Sequence, residues 1–135
     1  MVEIQIAYRG KLRCSAMHVD SGATLLTDAP TDNMGNGESF SPTDLVAAAL
    51  GTCMLTVMGI ASQRMEIDLS GATVTVTKEM ALAPMRRIGR LSVAFRVPLP
   101  LTQEQRQMLQ NAAMTCPVHK SLHPDVQIPV SFKWD

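Results

Sequence analysis

The chain has 135 residues, about one domain, long enough to bury roughly two-thirds of its unfolded surface around a single core. Twelve Lys and Arg balance twelve Asp and Glu, and the aromatic residues are three Phe, one Tyr and one Trp, so the basic footprint and the stacking surface that nucleic acid requires are both missing. An apolar content of 46% with 18% charged residues excludes a disordered chain, and three scattered cysteines exclude a secreted disulfide scaffold.

At the start, Val2, Ile4, Ile6 and Tyr8 alternate with polar residues, which predicts a strand and not a signal peptide; a cytoplasmic protein is expected. Arg9-Gly10 offers a turn, after which Leu12, Cys14 and Ala16 resume the alternation, so a meander of two or three strands runs to about residue 28. Residues 29–40 are dense in turn formers and read as the longest irregular segment. A helix start follows: Ser41 can cap, Pro42 suits the first helical position, and Asp44 at the third completes a capping box with an acid at the positive end.

This helix is predicted from residue 42 to about residue 65. It carries no charge between Leu45 and Gln63 and shows apolar or small residues on every face, so it is expected to be buried all round. A membrane span is disfavoured, because Gly51, Thr52, Thr56, Gly59, Ser62 and Gln63 dilute its hydrophobicity and no basic flank precedes it. One sheet and one more helix cannot surround it, so part of its surface is expected to meet another subunit, favouring a homodimer.

Residues 72–78 and 90–97 alternate with period two and predict a second antiparallel pair, joined by residues 81–89. Thr102 with Gln105 forms another capping box, and the helix it opens presents Met108, Leu109, Ala112, Ala113 and Cys116 on one face before Pro117 stops it at Cys116. Residues 126–134 read as a closing strand, with Pro129 at a bulge or an edge. The fold class is α+β, a single domain of antiparallel sheets and two main helices.

Three places carry chemistry. Cys53 lies about three turns inside the apolar helix, on a face with Val46, Ala49, Leu50, Val57 and Ile60, and by spacing alone it is a structural cysteine. Cys116 ends one helix where Pro117 starts a further short turn, with His119, Lys120 and His123 close by in sequence, all favouring thiolate. Cys116, His119 and His123 also have ligand-like spacing, but neither Cys14 nor Cys53 supplies a paired fourth ligand, so no metal and no cofactor are expected. Met54, Met58, Met108 and Met114 read first as core filling and second as a pliable apolar pocket; His18 and Arg86-Arg87 read as surface residues.

The run Ser41-Pro42-Thr43-Asp44-Leu45 with Ala47 to Cys53, followed 63 residues later by Cys116-Pro117-Val118-His119-Lys120-Ser121-Leu122, resembles the OsmC/Ohr family of thiol-dependent hydroperoxide reductases. The order of elements matches it over nearly the whole chain. The resemblance implies an intertwined α+β homodimer with the long cysteine helix central and the active site at the subunit interface. It implies that Cys53 is like the peroxidatic cysteine and Cys116 like the resolving one, reversing the structural reading of Cys53. Organic hydroperoxides are then the substrates, and a dithiol or a lipoylated protein the reductant. The family also uses an arginine from the first strands, held by a glutamate near the start of the cysteine helix. Arg9 or Arg13 could supply the arginine, with Arg9 at the turn preferred. Thr43 stands where the glutamate is expected, and Glu38 in the preceding loop is the possible substitute. The rival readings are a noncatalytic binder of small apolar ligands and a metal-binding domain built on Cys116, His119 and His123.

Overall fold

Alternation in the first residues does produce strands. In the computed structural model, which describes all 135 residues, β1 (Ile4–Gly10), β2 (Arg13–His18) and β3 (Thr24–Asp28) form an antiparallel meander in that order. Lys11 and Leu12 close the first hairpin with φ of 56° and 63°, the left-handed pair that a two-residue turn needs, and the Leu12 N–H donates to the Tyr8 hydroxyl at 3.2 Å. The register shifts between Tyr8 and Gly10, so Arg9 sits on a bulge opposite no partner. Residues 29–40 hold a single 3-10 turn, Thr31–Asn33.

The helix α1 spans Pro42–Arg64, and its predicted cap is present: Asp44 N–H donates to Ser41 Oγ at 3.1 Å and Ser41 N–H to Asp44 Oδ2 at 2.9 Å. It stops at Glu66, whose φ of 57° turns the chain so that the Ile67 N–H reaches the Ser62 carbonyl. The expectation of burial on all sides is corrected. Leu50, Met54 and Met58 are fully buried, whereas Ala49, Thr52, Thr56, Ile60 and Gln63 form an open, uncharged stripe, because one sheet covers only one side of a helix. The helix is long and apolar enough to cross a membrane by length and composition, yet its buried side serves as a core helix of this fold.

The second sheet takes the order β4 (Thr73–Ala81), β5 (Arg87–Arg96), β6 (Val130–Lys133). The β4–β5 hairpin runs further than expected, pairing to Ala81 and Arg87 and leaving only residues 82–86 as its connection. The last strand is shorter than expected and runs parallel to β5, with Phe95 opposite Phe132, so this sheet is mixed. Pro129 stands just before this edge strand, and its carbonyl accepts from Val93 N–H. Gly51 explains how closely α1 meets the sheet: a Cβ there would lie 2.8 Å from Val76 Cγ2.

The helix α2 (Gln103–Ala113) has the Thr102/Gln105 capping box but ends three residues before Cys116, which instead caps the short α3 (Pro117–Ser121). Leu109, Ala113 and Cys116 are fully buried as expected, whereas Met108 is exposed. The core of residues 47–135 is thus Leu50, Met54 and Met58 from α1, Leu91, Val93, Phe95 and Val97 from β5 and its end, and Leu109, Ala113 and Cys116. The chain divides into two compact units, Met1–Val46 and Ala47–Asp135.

Candidate functional site

The site residues fall into a thiol pair in residues 47–135 and an ion cluster in residues 1–46. Cys53 emerges from α1 at the border between its buried and open sides, so it is half-buried; Ala49 and Ile60, expected on its face, belong to the open stripe. Cys116 is fully buried. It is held at the turn into α3, where Pro117 starts the helix and the His119 N–H donates to Cys116 Sγ at 3.4 Å. The two thiols are near enough to influence each other electrostatically, although Cys116 follows Cys53 by 63 positions, and both are unlinked.

The electrostatics of Cys116 differ from the expectation. Burial, above all, pushes its thiol up from the ordinary value of 9.0, and the proximity of Cys53 pushes the same way; the N–H groups of His119 and Val118 pull it back only in part. The thiolate-favouring neighbourhood fails because His123 is exposed and turned to Asp125, at 3.8 Å, and Lys120 is also exposed. For the same reason Cys116, His119 and His123 do not converge as metal ligands. His119 and His123 line a cavity of about 260 Å³ with Leu122 and Ile128, and Cys116 is not among its walls. Met54 and Met58 fill the core, while Met108 and Met114 are exposed.

In the ion cluster, Arg13 opens β2 and its guanidinium Nη2 is bonded to Glu38 and lies 3.6 Å from Asp28 Oδ2. Glu38 by hydrogen bond and charge, then Asp28 by charge, raise the Arg13 pKa above its ordinary value. Arg9, the arginine preferred on sequence, is exposed on the bulge of β1. Thr43 lies in the first turn of α1 with its Oγ1 3.3 Å from Ser41 Oγ, and Asp44 serves the cap. His18 is half-buried at the end of β2, against Ser21 Oγ at 2.6 Å. Cys14 is half-buried in β2 opposite Tyr8 and Thr27.

Asp28 is the residue that sequence reasoning missed. It is buried, with 2% of its side chain exposed, although alternation at the end of a strand gives no sign of it. A signal existed in register: if the second hairpin turns near residue 21, Arg13 and Asp28 face each other, and opposite charges across an antiparallel pair attract.

The family model described as OsmC-like protein matches residues 35–131. Among solved structures, the fold is similar to a Psychrobacter arcticus protein named for osmotic stress induction and detoxification response, at 45% identity and a TM-score of 0.92 over 98% of this chain and 96% of that one. It is also similar to an organic hydroperoxide resistance protein OsmC from Legionella pneumophila (16% identity, TM-score 0.79, 98% and 96% covered). An organic hydroperoxide resistance protein from Vibrio cholerae, with captopril bound in one of its active sites, is similar as well (20% identity, TM-score 0.77, 98% and 90% covered). At these two lower identities the likeness concerns the fold alone. No curated protein matches the sequence. The capped cysteine helix, the two three-stranded sheets and the matched span of the family model together place this chain in the OsmC-like family.

Proposed function

We propose that this chain is a homodimeric thiol peroxidase that reduces organic hydroperoxides, with Cys53 as the peroxidatic and Cys116 as the resolving cysteine. The observation that carries the reading is the asymmetric thiol pair: Cys53 is half-buried, and Cys116, which it influences electrostatically, is fully buried and holds its proton more tightly than an ordinary thiol. The thiolate, not the thiol, is the nucleophile. Cys53 thiolate then attacks the O–O bond of the hydroperoxide; an S–O bond forms, the O–O bond breaks, and the alkoxide leaves as alcohol with a proton from solvent. Cys116 attacks the sulfenic sulfur, water leaves, and a disulfide joins the two cysteines. An external dithiol, such as a lipoylated protein, returns both to thiols.

A thiolate three turns inside a helix gains little from the helix N-terminus, so a cation has to support it. Arg13 takes that role in preference to Arg9, because acids hold its guanidinium in place while Arg9 is exposed on a bulge. Val57, one turn on from Cys53 and half-buried, and the absence of charge between Leu45 and Gln63 favour alkyl over small polar peroxides. A second copy is supported by the uncharged open stripe of α1 and by Val2, Ile4, Ile6 and Tyr8, all exposed in the single chain.

The test is an anaerobic titration of reduced protein with cumene hydroperoxide, counting thiols and mapping any disulfide by peptide mass. Two thiols lost per chain and a Cys53 to Cys116 link are expected, with turnover abolished by Cys53→Ser and kept by Cys14→Ser. Three unreacted thiols would sink the peroxidase reading.

A further inference from the structure

We infer that the tip of the β4–β5 hairpin is a docking surface for a bilayer that carries anionic lipids, with Leu82 and Met85 entering its interface and the arginines behind them meeting the headgroups. The connection between the two strands reads Leu82-Ala83-Pro84-Met85-Arg86, and Arg87 opens β5. Tight connections that face water are mostly built from Gly, Asn, Asp and Ser. Here four apolar residues in a row are exposed, Leu82 by 73% and Met85 by 68%, and Met80 and Ala81 continue the apolar run into β4. A run of this kind on a surface marks a place where the chain meets something other than water.

Charge and shape say what it meets. Residues 78–90 hold four of the chain's twelve Lys and Arg but one of its twelve Asp and Glu, and no acid occurs between Glu79 and Glu104. The one acid, Glu79, lies 3.6 Å from Arg90, in an exposed pair that solvent weakens. Arg86 and Arg87 are half-buried directly behind the apolar tip, and Arg87 turns back to the Ile88 carbonyl. Apolar side chains at the end and cations one step behind them match the depth order of an anionic leaflet, in which acyl chains lie beneath phosphates. The end of a hairpin is convex and offers no groove. A fluid surface accepts such a tip without a matching shape, which an acidic protein partner would have to provide. Lying on a bilayer is distinct from spanning it, and α1 takes no part. The inference does not rest on the peroxidase reading, and its test measures no turnover.

The experiment sediments the reduced full-length chain with vesicles of phosphatidylcholine alone and of phosphatidylcholine with about 30% phosphatidylglycerol, at low salt. Binding to the anionic vesicles is expected to be about tenfold tighter than to the neutral ones, and to fall about tenfold in about 0.5 M salt. Leu82→Ser with Met85→Ser is expected to weaken it about tenfold at an unchanged melting temperature, and Arg87→Gln with Arg90→Gln about tenfold as well. Met34→Ser, at a residue 87% exposed outside the hairpin, is expected to stay within about twofold of the unaltered chain. In Leu82→Trp the new indole is expected to shift its emission to the blue on anionic vesicles, a shift absent from the parent, whose one tryptophan is Trp134. No binding to either vesicle, equal binding to both, an unaffected Leu82→Ser with Met85→Ser variant, or an equal loss in Met34→Ser would each overturn the docking surface. So would a lower oligomeric state of the Leu82→Ser with Met85→Ser variant in vesicle-free solution, which would assign the tip to a contact between copies of the chain.

Discussion

The two parts of the chain are held together by different forces. In residues 47–135 the buried side chains are almost all apolar, from Leu50 and Met54 on α1 to Val93 and Phe95 on β5, and the buried polar Ser62 satisfies itself on the Gly59 carbonyl at 2.7 Å. In residues 1–46 the buried side chains are Thr27, Asp28 and Ser41, while Ile4, Ile6, Tyr8, Leu25 and Leu26 are exposed. A fully buried Leu or Met contributes roughly 1.5–3 kcal/mol of transfer free energy, a contribution the first part does not draw from its own strands. Hydrogen bonds through the loop, the cap and Asp28 organise it. The lesson is that a chain can keep its packing in one part and its charge geometry in another.

The sharpest way to break this contrast is a matched pair of truncations. Leu50→Ala is expected to cost about 2–5 kcal/mol in urea unfolding, since a fully buried side chain leaves a cavity. Ile6→Ala, 68% exposed, is expected to cost less than about 0.5 kcal/mol in dilute solution, and to lower the melting temperature only at concentrations where copies pair. An equal loss for both at high dilution would mean that the first part has a core of its own. Next in size, Gly51→Ala pushes a methyl group to within 2.8 Å of Val76 Cγ2, a stiff β-branched side chain, and is expected to cost about 1–3 kcal/mol. Val76→Ala should recover part of that loss, and failure to do so would show that the contact does not govern the approach of α1 to β4.

The smallest effect is one of pH. Cys116 gives up its proton less readily in the folded chain than in the unfolded one, so its contribution to stability is complete below the ordinary thiol value of 9.0. Above that value the unfolded chain releases the proton first, and stability falls as pH rises towards the folded value. Cys116→Ala should flatten the stability curve above pH 9 relative to the parent; an identical slope would place the titrating group elsewhere.

Much of the fold was legible because local chemistry and tertiary structure agree. The capping boxes at Ser41 and Thr102 mark both helix starts correctly, since a cap satisfies backbone donors whatever the helix packs against. The alternation of Leu91, Val93, Phe95 and Val97 correctly marks a strand with one buried face. What local signals could not carry is direction and partnership. Nothing in residues 130–133 distinguishes a parallel from an antiparallel neighbour, and the exposure of one side of α1 depends on how many layers the rest of the chain can build. The same holds at the site. The distinction between Arg9 and Arg13 depends on a one-residue bulge in β1, and the burial of Asp28 depends on a loop contact with Glu38 that no periodicity announces. Around Cys116, neighbours in sequence are not neighbours in space, since His123 is exposed and lies against Asp125.

The thiol pair also has a consequence in time. Cys53 is made 63 residues before Cys116, and at ordinary rates of translation the interval is roughly 3 to 13 s. During those seconds the nascent α1 segment carries a thiol whose partner does not yet exist. Under the proposed mechanism, a Cys53 oxidised at that stage cannot be resolved by Cys116 until the turn that carries Cys116 has been synthesised and has folded.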